Sequence, residues 1–195
     1  AGGGGAAAQP YRVERVSGRY ATPPRSATQL TLSSSGSSVV SLPFSFTYFG
    51  ADYDRLQVHA GGFVVFGTTT PQAGAKTCSP YATGLDPTAG GSISYWTEGT
   101  TGEQVFKVAW EQLPGSSGLG VATFQLHLYE SDDRVVFAYG DRGDPDTWSS
   151  FGGFVSSLSV RMDATPAGDT RYVVPDPNLI VGHPGTDYEM TPVLS

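Results

Sequence analysis

Between Leu42 and Gly67 the chain reads LPFSFTYFGADYDRLQVHAGGFVVFG, with an aromatic or aliphatic side chain recurring at every second position. A period of two is that of a strand with one buried face. The breaks fall at Pro43, at Gly50-Ala51-Asp52 and at Gly61-Gly62, residue types that suit tight reversals. The same alternation returns over residues 105–110, 121–130 and 134–139, so the pattern predicts antiparallel sheet from end to end. No window carries a sustained 3.6-residue period with caps, so little or no helix is expected.

Along the chain, residues 11–16 read as a first strand, with Tyr11 and Val13 on one side and Arg12, Glu14 and Val16 on the other. Pro23-Pro24 then interrupts pairing, and residues 29–32 form a short strand. Residues 39–49 place Phe44, Phe46 and Tyr48 on one face, and Pro43 requires an edge position or a bulge. Leu56, Val58 and Ala60 share a face, followed by a return strand over 63–66. Residues 68–89, with Pro71, Cys78, Pro80 and Pro87, make the longest irregular stretch. A meander follows over 92–97, 104–112, 121–130 and 134–139, with a hairpin tip at Asp132-Asp133. Closing strands are expected over 154–162, 172–174, 179–181 and 188–190. The predicted fold is an antiparallel β-sandwich of jelly-roll-like or Greek-key type. Residues 17–195 form one sandwich domain, preceded by an arm and first strand over 1–16.

Composition narrows the function. The 195 residues include 10 Tyr, 10 Phe and 3 Trp, enough large apolar side chains for a two-layer core. A net charge of −7 and a pI near 4.7 argue against nucleic acid or an anionic membrane surface as partner. No apolar run has the length of a membrane span. Cys78 is alone, so no internal disulfide forms. The chain opens on small residues without Met, as signal peptidase leaves a processed terminus, so an extracellular or cell-surface location is expected.

Four blocks carry a family resemblance: LPFSFTYFGADYDRLQVHAGGFVVFG, YATGLDPTAGGSISYW, VFKVAWEQLP and TFQLHLYESDDRVVFAYG. In order and spacing they resemble the extracellular nidogen-type domain and its bacterial relatives, over roughly residues 42–139. At Gly61 those relatives commonly carry Asn, and either residue tolerates positive φ. The resemblance implies an extracellular, β-rich, non-catalytic domain of matrix, adhesion or surface proteins, with no shared active site.

Candidate chemistry is sparse. His59 alternates out of its apolar face, His127 points to solvent or to a second layer, and His183 sits in a Gly-His-Pro-Gly turn, so surface histidines are expected. No Gly-x-Ser-x-Gly elbow accompanies them. Glu98, Glu103, Glu111 and Glu130 lie at strand ends or on polar faces, without a pairing of the kind glycosidases need. Asp141, Asp144 and Asp146, on a short glycine-containing loop, offer hard oxygen ligands for Ca²⁺, although the spacing lacks the twelve-residue loop and its terminal Glu. Trp96, Trp148, Tyr129 and Tyr139 are candidates for stacking on sugars, Trp148 foremost, whereas Trp110 belongs to the core. An isopeptide crosslink would need Lys76 or Lys107 beside Asn178 or an Asp.

The expected function is therefore that of a non-catalytic extracellular structural or adhesion protein, a self-assembling surface or filament subunit. Its Gly/Ala-rich arm over residues 1–16, with Tyr11 and Val13, would contact a neighbouring subunit or fold back on its own domain. The alternative is a glycan- or protein-binding module displaying loops 68–89 and 140–150.

Overall fold

Alternating burial is the rule in the folded chain. Residues 37–48 expose and bury side chains in turn, hiding Val40, Leu42, Phe44, Phe46 and Tyr48 and exposing Ser37, Val39, Ser41, Pro43 and Ser45. The computed structural model describes residues 11–67, 76–82, 84–116, 121–140, 160–163, 172–173 and 187–193. These contain strands β1 (Tyr11–Val16), β2 (Thr28–Leu30), β3 (Ser37–Tyr48), β4 (Ala51–His59), β5 (Phe63–Phe66), β6 (Thr77–Ser79) and β7 (Ser92–Glu98). They continue with β8 (Val105–Pro114), β9 (Val121–Tyr129), β10 (Val135–Tyr139), β11 (Arg161–Asp163), β12 (Tyr172–Val173) and β13 (Asp187–Pro192), and include no helix.

Two antiparallel sheets pack face to face. One runs β1-β13-β10-β9-β8-β7-β2 and the other β12-β11-β6-β5-β4-β3. Within them, β3 to β6 and β7 to β10 are consecutive meanders, as short polar turns dictate. The chain thus forms the all-β sandwich that its period of two predicts. Strand β6 lies inside the stretch read from sequence as irregular, because three residues between prolines give too little alternation to register.

The inner faces share one core. Phe46 stacks on Phe66 at 5.7 Å, Tyr48 on Phe66 at 4.3 Å, and Trp110 on Phe124 at 5.2 Å. The buried Trp110 indole donates to the His59 carbonyl at 3.0 Å, which ties β8 to the end of β4. Each such ring contributes about 2–3 kcal/mol by burial. The β4–β5 turn depends on Gly62, at φ +88°, where a Cβ would collide with the Tyr81 carbonyl and lie 2.9 Å from Phe124 Cζ. Gly61 has ordinary φ, so the positive-φ position is the second glycine of the pair.

Strand β3 is a sheet edge, and its register against β4 shifts between Ser41 and Phe46. Pro43 occupies that irregular stretch, where no ladder N–H is required of it. β3 also crosses the strands of the facing sheet. Ser41 to Pro43 lie beside β2 and β7, Thr47 meets Asp133 in the β9–β10 turn, and Tyr48 and Phe49 reach Tyr11 of β1.

Candidate functional site

The seven-stranded sheet has two covered faces. Alternation sends Ser94 and Trp96 of β7, Lys107 and Ala109 of β8, and Gln125 and His127 of β9 away from the core, yet all six are buried. Their cover includes residues 17–27, which leave β1 at one edge of the sheet and enter β2 at the other. Seven strands spaced about 4.8 Å apart separate those edges by about 29 Å. Fully extended, eleven residues reach about 36 Å, and Pro24 to Ala27 close a turn in which the Ala27 amide donates to the Pro24 carbonyl at 3.0 Å, so the strap has little slack before that turn.

Polar side chains fasten the strap at successive strands. On β13, Asp187 accepts from the Arg19 amide at 2.9 Å and from the Tyr139 amide at 3.0 Å, and the Arg19 guanidinium lies 3.6 Å from Glu189. On β9, the Gln125 side chain accepts from the Ala21 amide at 3.1 Å and donates to the Ala21 carbonyl. The Tyr20 hydroxyl donates to Glu111 of β8 at 2.5 Å, and its ring rests over Gly140, where a Cβ would lie 3.1 Å away. Ala21 and Ala27 pack on Trp96 and Ala109.

Beneath the strap the electrostatics are set by burial. His127 Nε2 lies 2.8 Å from Gln125 Oε1, an atom that only accepts, so Nε2 carries the proton. Nδ1 has no partner among the described residues, and desolvation, reinforced by the facing Lys107, pushes the imidazole down from 6.5 to about 3. His127 is thus neutral and walled off. Lys107 Nζ pairs with Glu98 at 2.8 Å while the Trp96 indole donates to the same carboxylate at 2.9 Å. These bonds, Lys107 first, hold the Glu98 carboxyl below its ordinary range. Lys107 is thus paired with a Glu rather than an Asp, and Asn178 lies outside the described residues.

Two further features lie at the two ends of the seven-stranded sheet. Tyr11 of β1 inserts between the sheets, its ring 5.0 Å edge-on to Phe49 and its hydroxyl accepting from the Phe49 amide at 3.1 Å. Burial raises that phenol well above its ordinary value. At the opposite corner, where β2 ends after three residues, an open groove of about 490 Å³ separates Tyr95, Trp96, Thr97 and Phe106 from Ser41, Leu42 and Pro43. Its lining carries no charged side chain.

Several sequence expectations are corrected by this arrangement. His127, expected at the surface, is 1% exposed, because the strap forms a further layer over its strand. His59 does face outward, but it is half-buried, stacked on Phe63 at 4.4 Å. Among the sugar-stacking candidates, Trp96 and Tyr139 are buried, Tyr139 donating to the Pro80 carbonyl at 2.5 Å, and the Tyr129 ring is covered by Arg134 at 4.0 Å. Trp110 is core, as expected. Tyr11 is 3% exposed and Val13 packs against the core, so within one chain both are engaged by their own sandwich. Trp148, His183 and the candidate Ca²⁺ ligands Asp141, Asp144 and Asp146 lie outside the described residues. Among the described residues no three His, Cys, Asp or Glu side chains gather as a metal site.

Sequence reasoning missed the strap and its fasteners Gln125 and Asp187. The available signal was an eleven-residue connection holding a lone Tyr20 and two prolines, facing a strand pattern in which Gln125 and His127 alternate with Phe124, Leu126 and Leu128.

Comparison with known proteins agrees with the resemblance carried by the motifs. No curated protein and no solved structure matches the chain. A family model described as NIDO related matches residues 10–162, a span from β1 into β11 that takes in the strap and leaves out β12 and β13. The chain belongs to the NIDO-related family.

Proposed function

We propose that the chain is a non-catalytic structural module of an extracellular assembly, associating with further copies of itself. Membership of the NIDO-related family gives the extracellular-type β domain. The observation that carries the rest is the strapped sheet. Its buried polar groups Asp187, Gln125, His127 and Lys107 are engaged in holding one segment of chain on the sheet or in pairing on that face, Lys107 with the exposed Glu98. Side chains so fixed supply rigidity rather than a mobile acid–base pair. A rigid seven-stranded sheet covered on both faces has its edges and ends left to meet partners.

Light scattering across a concentration series, with negative-stain microscopy of the same samples, tests this reading. Concentration-dependent oligomers or filaments support it, and a monomer throughout overturns it. Deleting residues 1–9 asks whether the Gly/Ala-rich arm takes part, and unchanged assemblies would remove the arm from the reading.

The uncharged groove at Tyr95 favours a second reading, a module that takes a glycan or a protein loop. Screening on a glycan array, repeated with Tyr95→Ala, decides between a ligand site and a gap between short strands.

A further inference from the structure

Strand β1 is built as a separable unit. Among the described strands it stands at the edge of the seven-stranded sheet and pairs with β13 alone, through six residue pairs from Tyr11↔Pro192 to Val16↔Asp187. Its hold on the core is concentrated in Tyr11, which fills the space beside Tyr48 and Phe49 and caps the Phe49 amide. Arg12 and Glu14, on the other side, are exposed and pair with each other at 3.0 Å.

The connection to the rest of the chain behaves as a hinge. Ser17 and Gly18 are exposed, and Gly18 has φ +70° with open space around it. One residue further on, the Arg19 amide is fixed to Asp187, and Ala21 to Gln125. Beyond the hinge the chain stays fastened, so β1 can leave without unravelling the strap.

From this we infer that β1 is an exchangeable strand, seated on β13 of its own chain in the monomer and on β13 of a second copy in the assembly. The occupant of the emptied slot is specified by the slot. It needs an extended segment with an aromatic hydroxyl at the position that meets Phe49 and an apolar side chain two residues later, facing Met190. The identical β1 of another copy fulfils both. Exchange re-forms the same contacts, so the two arrangements differ mainly in chain entropy and hinge geometry, and concentration decides between them. Because each copy donates one strand and receives one, the arrangement closes as a dimer or propagates as a filament. This inference rests on the self-association proposed above.

Two full-length single variants test it, Arg12→Cys and Thr191→Cys. Opposed residues on antiparallel strands have Cα atoms about 4.5–5.5 Å apart, within disulfide reach. Neither chain can form that bond internally, and the buried Cys78 is out of reach. The two proteins are mixed, concentrated, oxidised and run on a non-reducing gel. Exchange yields a crosslinked dimer that requires both variants, and adding Tyr11→Ala to the Arg12→Cys chain removes it. Assemblies visible by microscopy with no crosslinked dimer overturn the exchange and leave self-association standing. Neither assemblies nor dimer overturns both.

Discussion

Burial of His127 makes the fold sensitive to mild acid by an amount that follows from its surroundings. In the unfolded chain this imidazole takes up a proton near its ordinary value of 6.5, while in the folded chain its value lies at about 3. Its folded value is depressed, so the unfolded state binds the proton first. Stability is at its full value above 6.5 and declines as pH falls from there towards 3. Each pH unit in that window costs about 1.4 kcal/mol. From pH 7.5 to pH 5 the loss is about 2 kcal/mol, equivalent to a fall in Tm of about 4–8 °C for a chain of this size.

His127→Gln isolates the effect, because an amide donor can still reach Gln125 Oε1 while nothing titrates. Urea unfolding of both proteins at pH 7.5, 6.5, 5.5 and 4.5, followed by tryptophan fluorescence, gives the difference curve. His59, also lowered by burial, and Asp133, raised by burial and hence opposite in sign, are present in both proteins and cancel. Lys107 of β8, Glu98 of β7 and Arg19 of the strap act on His127 and are likewise common to both. Parallel stability curves, or a variant that loses as much as the parent on acidification, would refute the claim that His127 is buried neutral under the strap.

Asp187→Ala leaves the buried amide of Tyr139 and the part-buried amide of Arg19 without their acceptor and should destabilise by about 1–3 kcal/mol, with faster hydrogen exchange at Arg19 and Ala21. Asp187→Asn keeps one acceptor oxygen, so about half that loss is expected from the same urea titration. Gly62→Ala should lower stability by several kcal/mol or prevent folding, whereas Gly61→Asn should shift Tm by only a few degrees. Cys78 is fully buried and its thiol is pushed up by desolvation. It should react with a thiol reagent only in denaturant, and fast labelling of the native chain would contradict the packing of β6 on β5.

What was readable in the sequence was whatever one strand says about itself. Phe44, Phe46 and Tyr48 declare a buried face by their spacing, and Asp132-Asp133 marks a reversal, so the sheet strands and the meander follow directly. Pro43 announced an edge or a bulge, and β3 has both an edge position and a register shift. The second covered face was hidden for a physical reason. Alternation distinguishes two sides of a strand but not what lies over each, and Gln125 and His127 are polar residues on the side that normally meets water. Only the strap, joining strands at opposite edges of one sheet, turns that side into an interior. Tyr11 was picked out as a contact residue, and the slot it fills is supplied by Tyr48 and Phe49, some forty residues away.

The same strap bears on how the module can associate. With residues 17–27 across its outer face, the seven-stranded sheet cannot stack on another sheet there, which leaves the edges. One long edge is already blunted. Along β3 the Thr47 amide is capped by Asp133 at 3.0 Å and the adjoining Phe49 amide by the Tyr11 hydroxyl, while Pro43 interrupts the ladder earlier in the strand. At the other end of the facing sheet, β2 is three residues long and offers little to pair with. Edge-on addition of a foreign strand is therefore discouraged at both places, as it is in sheets protected against aggregation. The cap on Phe49 comes from β1 itself, so the departure of β1 bares the β13 ladder and the Phe49 amide together. A strand bringing the same hydroxyl closes both at once, and one lacking it leaves a buried N–H unpaired, at a cost of about 1–3 kcal/mol. Selection for a second copy of this chain over an arbitrary strand is thereby written into one phenol.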